Sequence, residues 1–359
     1  MIKGANKMTH LKFSFTLVIF MLLTSCAGGI DTLLTGRDAA YISGYPENNA
    51  AGPLGRISDT VKKVSSTAYY TGYVFPEDLQ VSMGDINQDF VERYAEEVIF
   101  FNNSVAGTAT IIMKQNNKIA MLTCAHVVSF PDTLVRYVPD QSGRGSTQNV
   151  KSVAFLTRQS NYVVGLPEGG DIDIIQTDSE RDLAILGKEF EEEEVVLDMP
   201  VFDFPFGIAE ELRWGNMVYL AGFPRGYHMI TRGVVSDPNR NLQGSFLLDA
   251  PFNQGMSGGL ALAIRGNSPN FELMGLTNSA AADFQYNLVP GVQATSEGFI
   301  PNIPYNDRIF IELKRNISYG VTFVIPINEI IAFIEEYNPE MQKQGYEFNF
   351  MLRRALRNR

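Results

Sequence analysis

Asn253-Gln254-Gly255-Met256-Ser257-Gly258-Gly259 is a glycine-rich turn that presents one serine. A serine hydroxyl is a weak nucleophile at neutral pH and needs a base within hydrogen-bond reach. Upstream, Leu122-Thr123-Cys124-Ala125-His126-Val127-Val128 sets a histidine at the end of an apolar, strand-like run. Between the two, Arg181-Asp182-Leu183-Ala184-Ile185-Leu186 sets an aspartate at the head of another. Histidine titrates near neutral pH and suits the base. A carboxylate beside it fixes the ring tautomer and stabilises the imidazolium. Backbone N–H groups in a tight glycine turn can hold charge developing on a carbonyl oxygen, at ~3 kcal/mol per donor. The amides of Gly255 and Ser257 are the natural donors. Gly255 permits the dihedrals that aim them, and Gly258 and Gly259 keep bulk from the serine.

Each motif alone has a plainer reading: a hairpin turn, a packed structural histidine, a solvent-facing residue at a strand start. The three together, in the order His, Asp, Ser, argue for a triad. The chain has 3 histidines. His10 lies in a signal-like segment, which leaves His126 and His228. His228 follows Gly222-Phe223-Pro224-Arg225-Gly226-Tyr227 and reads as a loop residue. Asp171, Asp173 and Asp178 compete with Asp182 but sit in a more polar run. Asp249, eight residues before the serine, reads as a brace for its loop.

At these residues the chain resembles trypsin-like serine proteases of the chymotrypsin clan, and among them the HtrA (DegP-like) branch. The resemblance covers roughly residues 100 to 337. It starts at Gly107-Thr108-Ala109-Thr110-Ile111-Ile112 and includes the His126 and Asp182 motifs. It continues through Tyr219 to Pro224, Ile230 to Ser236, and Asp249 to Gly259. It ends at Gly320-Val321-Thr322-Phe323-Val324-Ile325-Pro326. It implies two six-stranded antiparallel β-barrels with the triad between them, His126 and Asp182 from the first and Ser257 from the second. It also implies a substrate pocket drawn from Pro251, Phe252 and Asn253 before the serine and Leu276, Thr277 and Asn278 after it. Pro251 stands at the pocket-base position, where a basic-selective protease carries an acid, so an uncharged residue is expected before the cut. Met256 departs from the small polar residue usual before the serine; its side chain should point away from the oxyanion. Cys124 stands where alanine or asparagine is common. The segment from about Ala280 to Ser318, with Pro290, Gly291, Pro301 and Pro304, reads as a loop insertion near the cleft. Nothing after the closing helix is long enough for the family's PDZ domain. Relatives are often trimeric, so an oligomer is an expectation by analogy.

The amino terminus carries a second signal. Lys3, Lys7 and Lys12 precede the apolar run Phe13 to Leu23, followed by Thr24-Ser25-Cys26. A basic segment, a short apolar core and small residues describe a secretory signal. The run is short for a membrane span of about 20 residues. Leu-Thr-Ser-Cys resembles a bacterial lipobox, which implies a lipid thioether on Cys26 and cleavage before it; a plain cleaved signal and an uncleaved anchor are the alternatives. Met8 is an alternative start. The expected place is the bacterial cell envelope, facing the periplasm or the exterior. With 2 cysteines and one lipidated, Cys124 has no disulfide partner and reads as a small hydrophobe. Two remaining histidines and one thiol do not make a zinc site, and no glycine-rich phosphate loop follows a strand; no metal and no cofactor are expected. The formal net charge of -11 argues against nucleic acid as a partner. The acidic run Glu189 to Glu194 reads as a solvated loop between the barrels.

The expected organisation is a signal over 1–25, a tether rich in Gly, Ala, Asn and Pro over 26–55, and a protease domain over 56–338. Within it the first barrel spans about 90–195, the second about 200–326 and a closing helix 328–337, with Asn328 as its N-cap; a basic, solvated tail follows over 339–359. Recurrent short β-branched and aromatic runs between turn residues argue for an all-β fold. A first helical turn and strand fall within Ile57–Tyr73, and a short helix within Phe90–Glu97. Ile330, Ile331, Phe333 and Ile334 give the closing helix an apolar face. The expected function is a lipid-anchored extracytoplasmic serine endopeptidase acting on protein or peptide substrates. The alternatives are a non-catalytic binding protein on the same scaffold and an esterase using the same triad.

Overall fold

Apolar runs and turn residues alternate through most of this chain, and the result is two antiparallel sheets sharing one continuous core. The computed structural model describes residues 39–46, 48–139, 146–266, 269–290 and 309–358. His10, Cys26 and the rest of the signal segment lie outside these, as does 291–308 of the insertion.

The N-terminal half holds β1 (Val61–Val74), β2 (Glu97–Gln115), β3 (Lys118–Thr123), β4 (Thr133–Pro139), β5 (Ser146–Val163), β6 (Asp173–Asp178) and β7 (Leu183–Glu189), with the helices α1 (Ala51–Thr60), α2 (Gln88–Tyr94), α3 (Ala125–Val128) and α4 (Glu194–Leu197). Among the described residues they form a seven-stranded sheet in the order β4-β5-β1-β2-β3-β7-β6. The expected closed six-stranded barrel is here an open half-barrel. Its ends nearly meet: the end of β5 bonds to residues just before β6, Val163 N–H to Gly170 O and Ile172 N–H to Asn161 O. Gly169, at φ +78°, turns the chain there, in a region L side chains rarely adopt. The extra strand is β1, which pairs with β2 from Val61↔Thr110 to Val74↔Glu97 and carries β5 on its other side.

The C-terminal half holds β8 (Met217–Gly222), β9 (Met229–Asp237), β10 (Phe246–Leu248), β11 (Leu260–Ile264), β12 (Phe271–Pro290) and β13 (Ile309–Pro326). These close into a six-stranded barrel in the order β10-β13-β12-β11-β8-β9. The insertion is therefore not a loop over its described part. β12 and β13 run on together past the barrel, pairing from Gly275↔Pro326 to Pro290↔Ile309 as one long ribbon.

Both ends of the folded region depart from the sequence reading. Part of the expected tether is structured: α1 (Ala51–Thr60) is a helix, and Tyr41 is buried against the barrel. The Tyr41 hydroxyl bonds Glu272 at 2.6 Å and accepts from Arg265 at 2.5 Å. Arg265, itself buried, also pairs with Glu211 and Glu272. A guanidinium removed from water needs such partners. At the other end, the closing helix α5 spans Ile327–Lys343, with Pro339 inside it and Pro326, not Asn328, as N-cap. Ile330, Ile331, Phe333 and Ile334 are buried as the spacing predicts. Gly345 at φ +84° stops it. The segment beyond is no free tail: Tyr346 and Phe348 are buried, and α6 (Asn349–Asn358) follows. No helix among the described residues is long and apolar enough to cross a membrane.

Candidate active site

β3 and β7 are neighbours, with Thr123 opposite Ala184. That register brings the residues leaving β3 beside the residue entering β7, and Ala125 N–H donates to Asp182 O at 3.1 Å. α3 (Ala125–Val128) is a single turn that lifts His126 from the strand end while Ala125, Val127 and Val128 stay buried. Asp182 takes φ +55°, a left-handed conformation that aspartate tolerates better than most residues. Its carboxylate holds the histidine twice: Oδ1 accepts from His126 N–H at 2.8 Å, and Oδ2 lies 2.6 Å from Nδ1. With Nδ1 protonated toward the carboxylate, Nε2 is left as the acceptor. Nε2 lies 2.8 Å from Ser257 Oγ. The Ser257 hydroxyl also lies 3.0 Å from Asn278 O, so one proton faces two acceptors.

The serine loop runs from β10 to β11 and is held peptide by peptide. Gln254 O accepts from Arg225 N–H at 2.7 Å, Gly255 O from Thr108 Oγ1 at 2.8 Å, and Met256 O from Thr277 Oγ1 at 2.6 Å and Gly259 N–H at 2.9 Å. Ser257 O accepts from Thr108 N–H at 2.8 Å. A trans peptide sets its N–H opposite its C=O. Pinning Gln254 O and Met256 O therefore turns the Gly255 and Ser257 N–H groups the other way. Among the described residues neither of these N–H groups donates to a protein acceptor. Gly255 sits at φ +97°, where a Cβ would lie 2.4 Å from Phe223 O.

The remaining candidates separate. Asp178 pairs with Arg181 at 2.5 Å, three residues along, and does not reach His126. Burial alone would raise its pKa. Hydrogen bonds from Arg181 N–H, the Arg181 guanidinium and Glu180 N–H outweigh that and hold it below the usual carboxylate range. Arg181 continues to Glu329 and Glu336 on α5, at 3.2 and 2.9 Å. Asp249 accepts from Val234 N–H at 2.6 Å; it braces β9 and not the serine loop itself. His228 stacks on Phe223 and lies 3.0 Å from Ser58 Oγ; burial and the Lys62 charge lower its pKa. Met256 is fully buried beside Gly222, away from the serine hydroxyl.

A cavity of about 630 Å³ opens beside Asn278, lined also by Glu180, Asn241, Gln243 and Phe323. Of the six expected pocket residues only Asn278 lines it. Leu276 and Thr277 are fully buried, and the Thr277 hydroxyl is committed to the serine loop. The sequence reading placed Thr277 in the substrate pocket, not as an anchor of the serine loop, and missed Thr108 and Arg225; their partners lie far along the chain and leave no local pattern.

Cys124, His126 and Asp182 offer donor atoms within 4.8 Å of one another. Both ring nitrogens of His126 already face Asp182 and Ser257. Burial first, then the Asp182 charge, push the Cys124 thiol well above its ordinary pKa. A protonated thiol is a poor metal ligand and a poor nucleophile. The donor set fits proton transfer between Ser257 and His126, with Asp182 holding the ring, better than a metal.

Residues 107–268 match the trypsin-like peptidase domain. The matched span holds His126, Asp182 and Ser257, and the match supports a peptidase, a hydrolase. Among curated proteins nothing matches the chain. β1 and the whole of the β12–β13 ribbon fall outside the span similar to the trypsin-like peptidase domain, as does α5.

Proposed function

We propose that the protein is a serine endopeptidase in which Ser257 is the nucleophile, His126 the general base and then general acid, and Asp182 the group that orients His126. The observation that carries this reading is the continuous hydrogen-bond chain from Asp182 Oδ2 to His126 at 2.6 Å and on to Ser257 Oγ at 2.8 Å. Ser257 Oγ attacks the scissile carbonyl carbon while its proton passes to His126 Nε2. The carbonyl oxygen becomes an oxyanion facing the Gly255 and Ser257 N–H groups. Collapse breaks the C–N bond, His126 gives its proton to the leaving amine, and an acyl-serine remains. Water, deprotonated by His126, attacks that ester and returns the free hydroxyl. A backbone N–H of bound substrate that takes Asn278 O leaves the Ser257 proton to His126 alone.

The test is labelling of the purified protein with a fluorophosphonate, beside Ser257→Ala, followed by a casein assay. Ser257-dependent labelling with casein cleavage is the expected result. Absence of labelling favours a binding protein; labelling without proteolysis favours an esterase. An uncharged residue before the cut is part of the proposal, and faster cleavage after Lys or Arg than after Ala, Val or Leu refutes it.

Attachment to the bacterial envelope through a lipid on Cys26 completes the reading, supported by the Leu-Thr-Ser-Cys motif and the basic, apolar segment before it. Cys26→Ser is expected to release the protein from the membrane fraction or leave its precursor uncleaved. Unchanged mass and partitioning contradict lipidation.

A further inference from the structure

Thr108 lies on β2 in the N-terminal half, yet both its backbone N–H and its hydroxyl bond the serine loop. Its N–H donates to Ser257 O at 2.8 Å, and its hydroxyl donates to Gly255 O at 2.8 Å. The same hydroxyl accepts from Phe223 N–H at 2.9 Å. Its own carbonyl accepts from Thr123 Oγ1 at 2.7 Å, on the strand that leads to His126. Thr108 is fully buried, so no water competes for these bonds. Gly107 lets β2 approach this closely: a Cβ there would lie 2.6 Å from Val127 and 3.2 Å from Ser257 O.

The two partners of the hydroxyl matter because one belongs to the peptide after Gly255 and the other begins the turn that holds the peptide before it. One is the Gly255 carbonyl itself. The other is Phe223 N–H, at the head of the turn Phe223-Pro224-Arg225-Gly226. Arg225 sits at φ +53° in that turn and aims its N–H at Gln254 O; its Nε reaches Asn253 Oδ1 at 3.2 Å. The peptide before Gly255 is thus set by the Arg225 turn and the peptide after it by Thr108 directly. Glycine at φ +97° has a wide choice of dihedrals and does not hold this orientation unaided.

We propose that the Thr108 hydroxyl is a positioning group for the oxyanion site: it locks the Gly255 peptide planes so that the Gly255 N–H faces the substrate carbonyl. This rests on the serine peptidase reading and adds a residue from the opposite half of the molecule to its machinery. Without the hydroxyl, the buried Gly255 C=O and the part-buried Phe223 N–H both lose this partner. They satisfy themselves by rotating the Gly255 peptides, which turns the donor away from the oxyanion. His126, Asp182 and Ser257 keep their mutual bonds.

The experiment measures inactivation of the full chain by a fluorophosphonate, whose phosphoryl oxygen occupies the oxyanion position, in Thr108→Val and Thr108→Ser. Valine keeps the shape and deletes the hydroxyl; serine keeps the hydroxyl. Thr108→Val is expected to lower the second-order inactivation rate by about 30-fold, less than the loss of a whole donor because the Gly255 N–H is misdirected and not removed. The labelled fraction at the end point should stay complete and the pH midpoint unchanged, since His126 is untouched. Thr108→Ser should restore the rate to within about threefold. A merely destabilised variant would lose labelled fraction instead of rate. Should the valine variant not fold, Thr108→Ala makes the same deletion with less bulk and carries the same expectation. An inactivation rate equal to wild type in the variant lacking the hydroxyl overturns the proposal while leaving the peptidase reading intact. Failure of serine to restore the rate also overturns it. A wild-type protein that the fluorophosphonate does not label at Ser257 removes both.

Discussion

The two halves hold their site residues by different means. In the open N-terminal sheet, His126 and Asp182 leave the ends of adjacent strands, β3 and β7, and the ladder brings them together: Thr123 faces Ala184, and Ala125 bonds Asp182 two residues on. The sheet needs no closure for this, because β3 and β7 lie inside it and only β4 and β6 are edges. In the closed C-terminal barrel, Ser257 lies on a loop between β10 and β11, strands separated by β13 and β12 in the barrel order. No ladder sets such a loop. Side-chain hydroxyls and the Arg225 turn do, and the two hydroxyls come from opposite halves. Where neighbouring strands carry two residues, register suffices for positioning; where a loop crosses between distant strands, dedicated hydrogen bonds replace it.

The largest test of that contrast is Asp182→Asn. The register still brings the side chain to His126, but an amide cannot accept at both oxygen positions, and one tautomer of the imidazole is lost. Peptide hydrolysis should fall by about 10⁴-fold with the fold intact; steady-state rates and circular dichroism check it. Next comes Gly258→Ala, a wedge between the halves. Gly258 sits at φ +83°, and a Cβ there would lie 2.1 Å from the Thr108 carbonyl and 2.6 Å from Thr123 Oγ1. Backbone cannot yield cheaply, so urea denaturation should show a loss of about 3 kcal/mol. Thr277→Val tests the barrel's own hydroxyl, which donates to Met256 O. A fall of roughly tenfold in turnover with little change in KM is expected, smaller than for a lost donor because Gly259 N–H still holds Met256 O. A loss as large as that of Thr108→Val would make the two halves equal partners in the loop. The smallest effect is at Asp178→Asn. The folded carboxyl titrates below its ordinary value, so its contribution is full above about pH 4 and fades as pH falls through the lower folded value. The variant should be less stable by ~1 kcal/mol at neutral pH, and the difference should vanish in acid; thermal melts across pH read it out.

The proposed triad was legible because His126 ends one apolar run, Asp182 begins another and Ser257 stands in a glycine-rich turn, so strand pattern, turn and chemistry coincide. The division into two β units came from the family resemblance, while the all-β character was legible from runs such as Ile119–Thr123 and Leu260–Ile264. Thr108 and Thr277 were not, because a hydroxyl inside a strand looks the same whether it serves the ladder or a partner 147 residues away. The ribbon was misread because Pro290, Gly291, Pro301 and Pro304 crowd its far end, while the alternation of Phe284, Tyr286 and Leu288 with polar neighbours, a strand signature, went unweighted. Tyr41 was lost among small residues: one aromatic in a Gly- and Ala-rich stretch gives no period, although it is buried against the barrel. Tyr346 and Phe348 escaped at the other end because the basic residues after them read as a solvated tail.

The brace from Arg181 to Glu329 and Glu336 has a consequence in time. Chains are made from the amino terminus, and folding follows synthesis. The strands that present His126 and Asp182 are complete once about residue 189 has emerged, but the Arg181 beside that aspartate receives its last carboxylate partner only with residue 336. The nucleophile loop in turn waits for β13, to which its barrel is stitched. A chain made as far as Ser257 therefore carries all three proposed reactive side chains before it carries Thr277, β13, Glu329 and Glu336, which help to align them. The protein acquires its cutting geometry as one of the last events of its own construction.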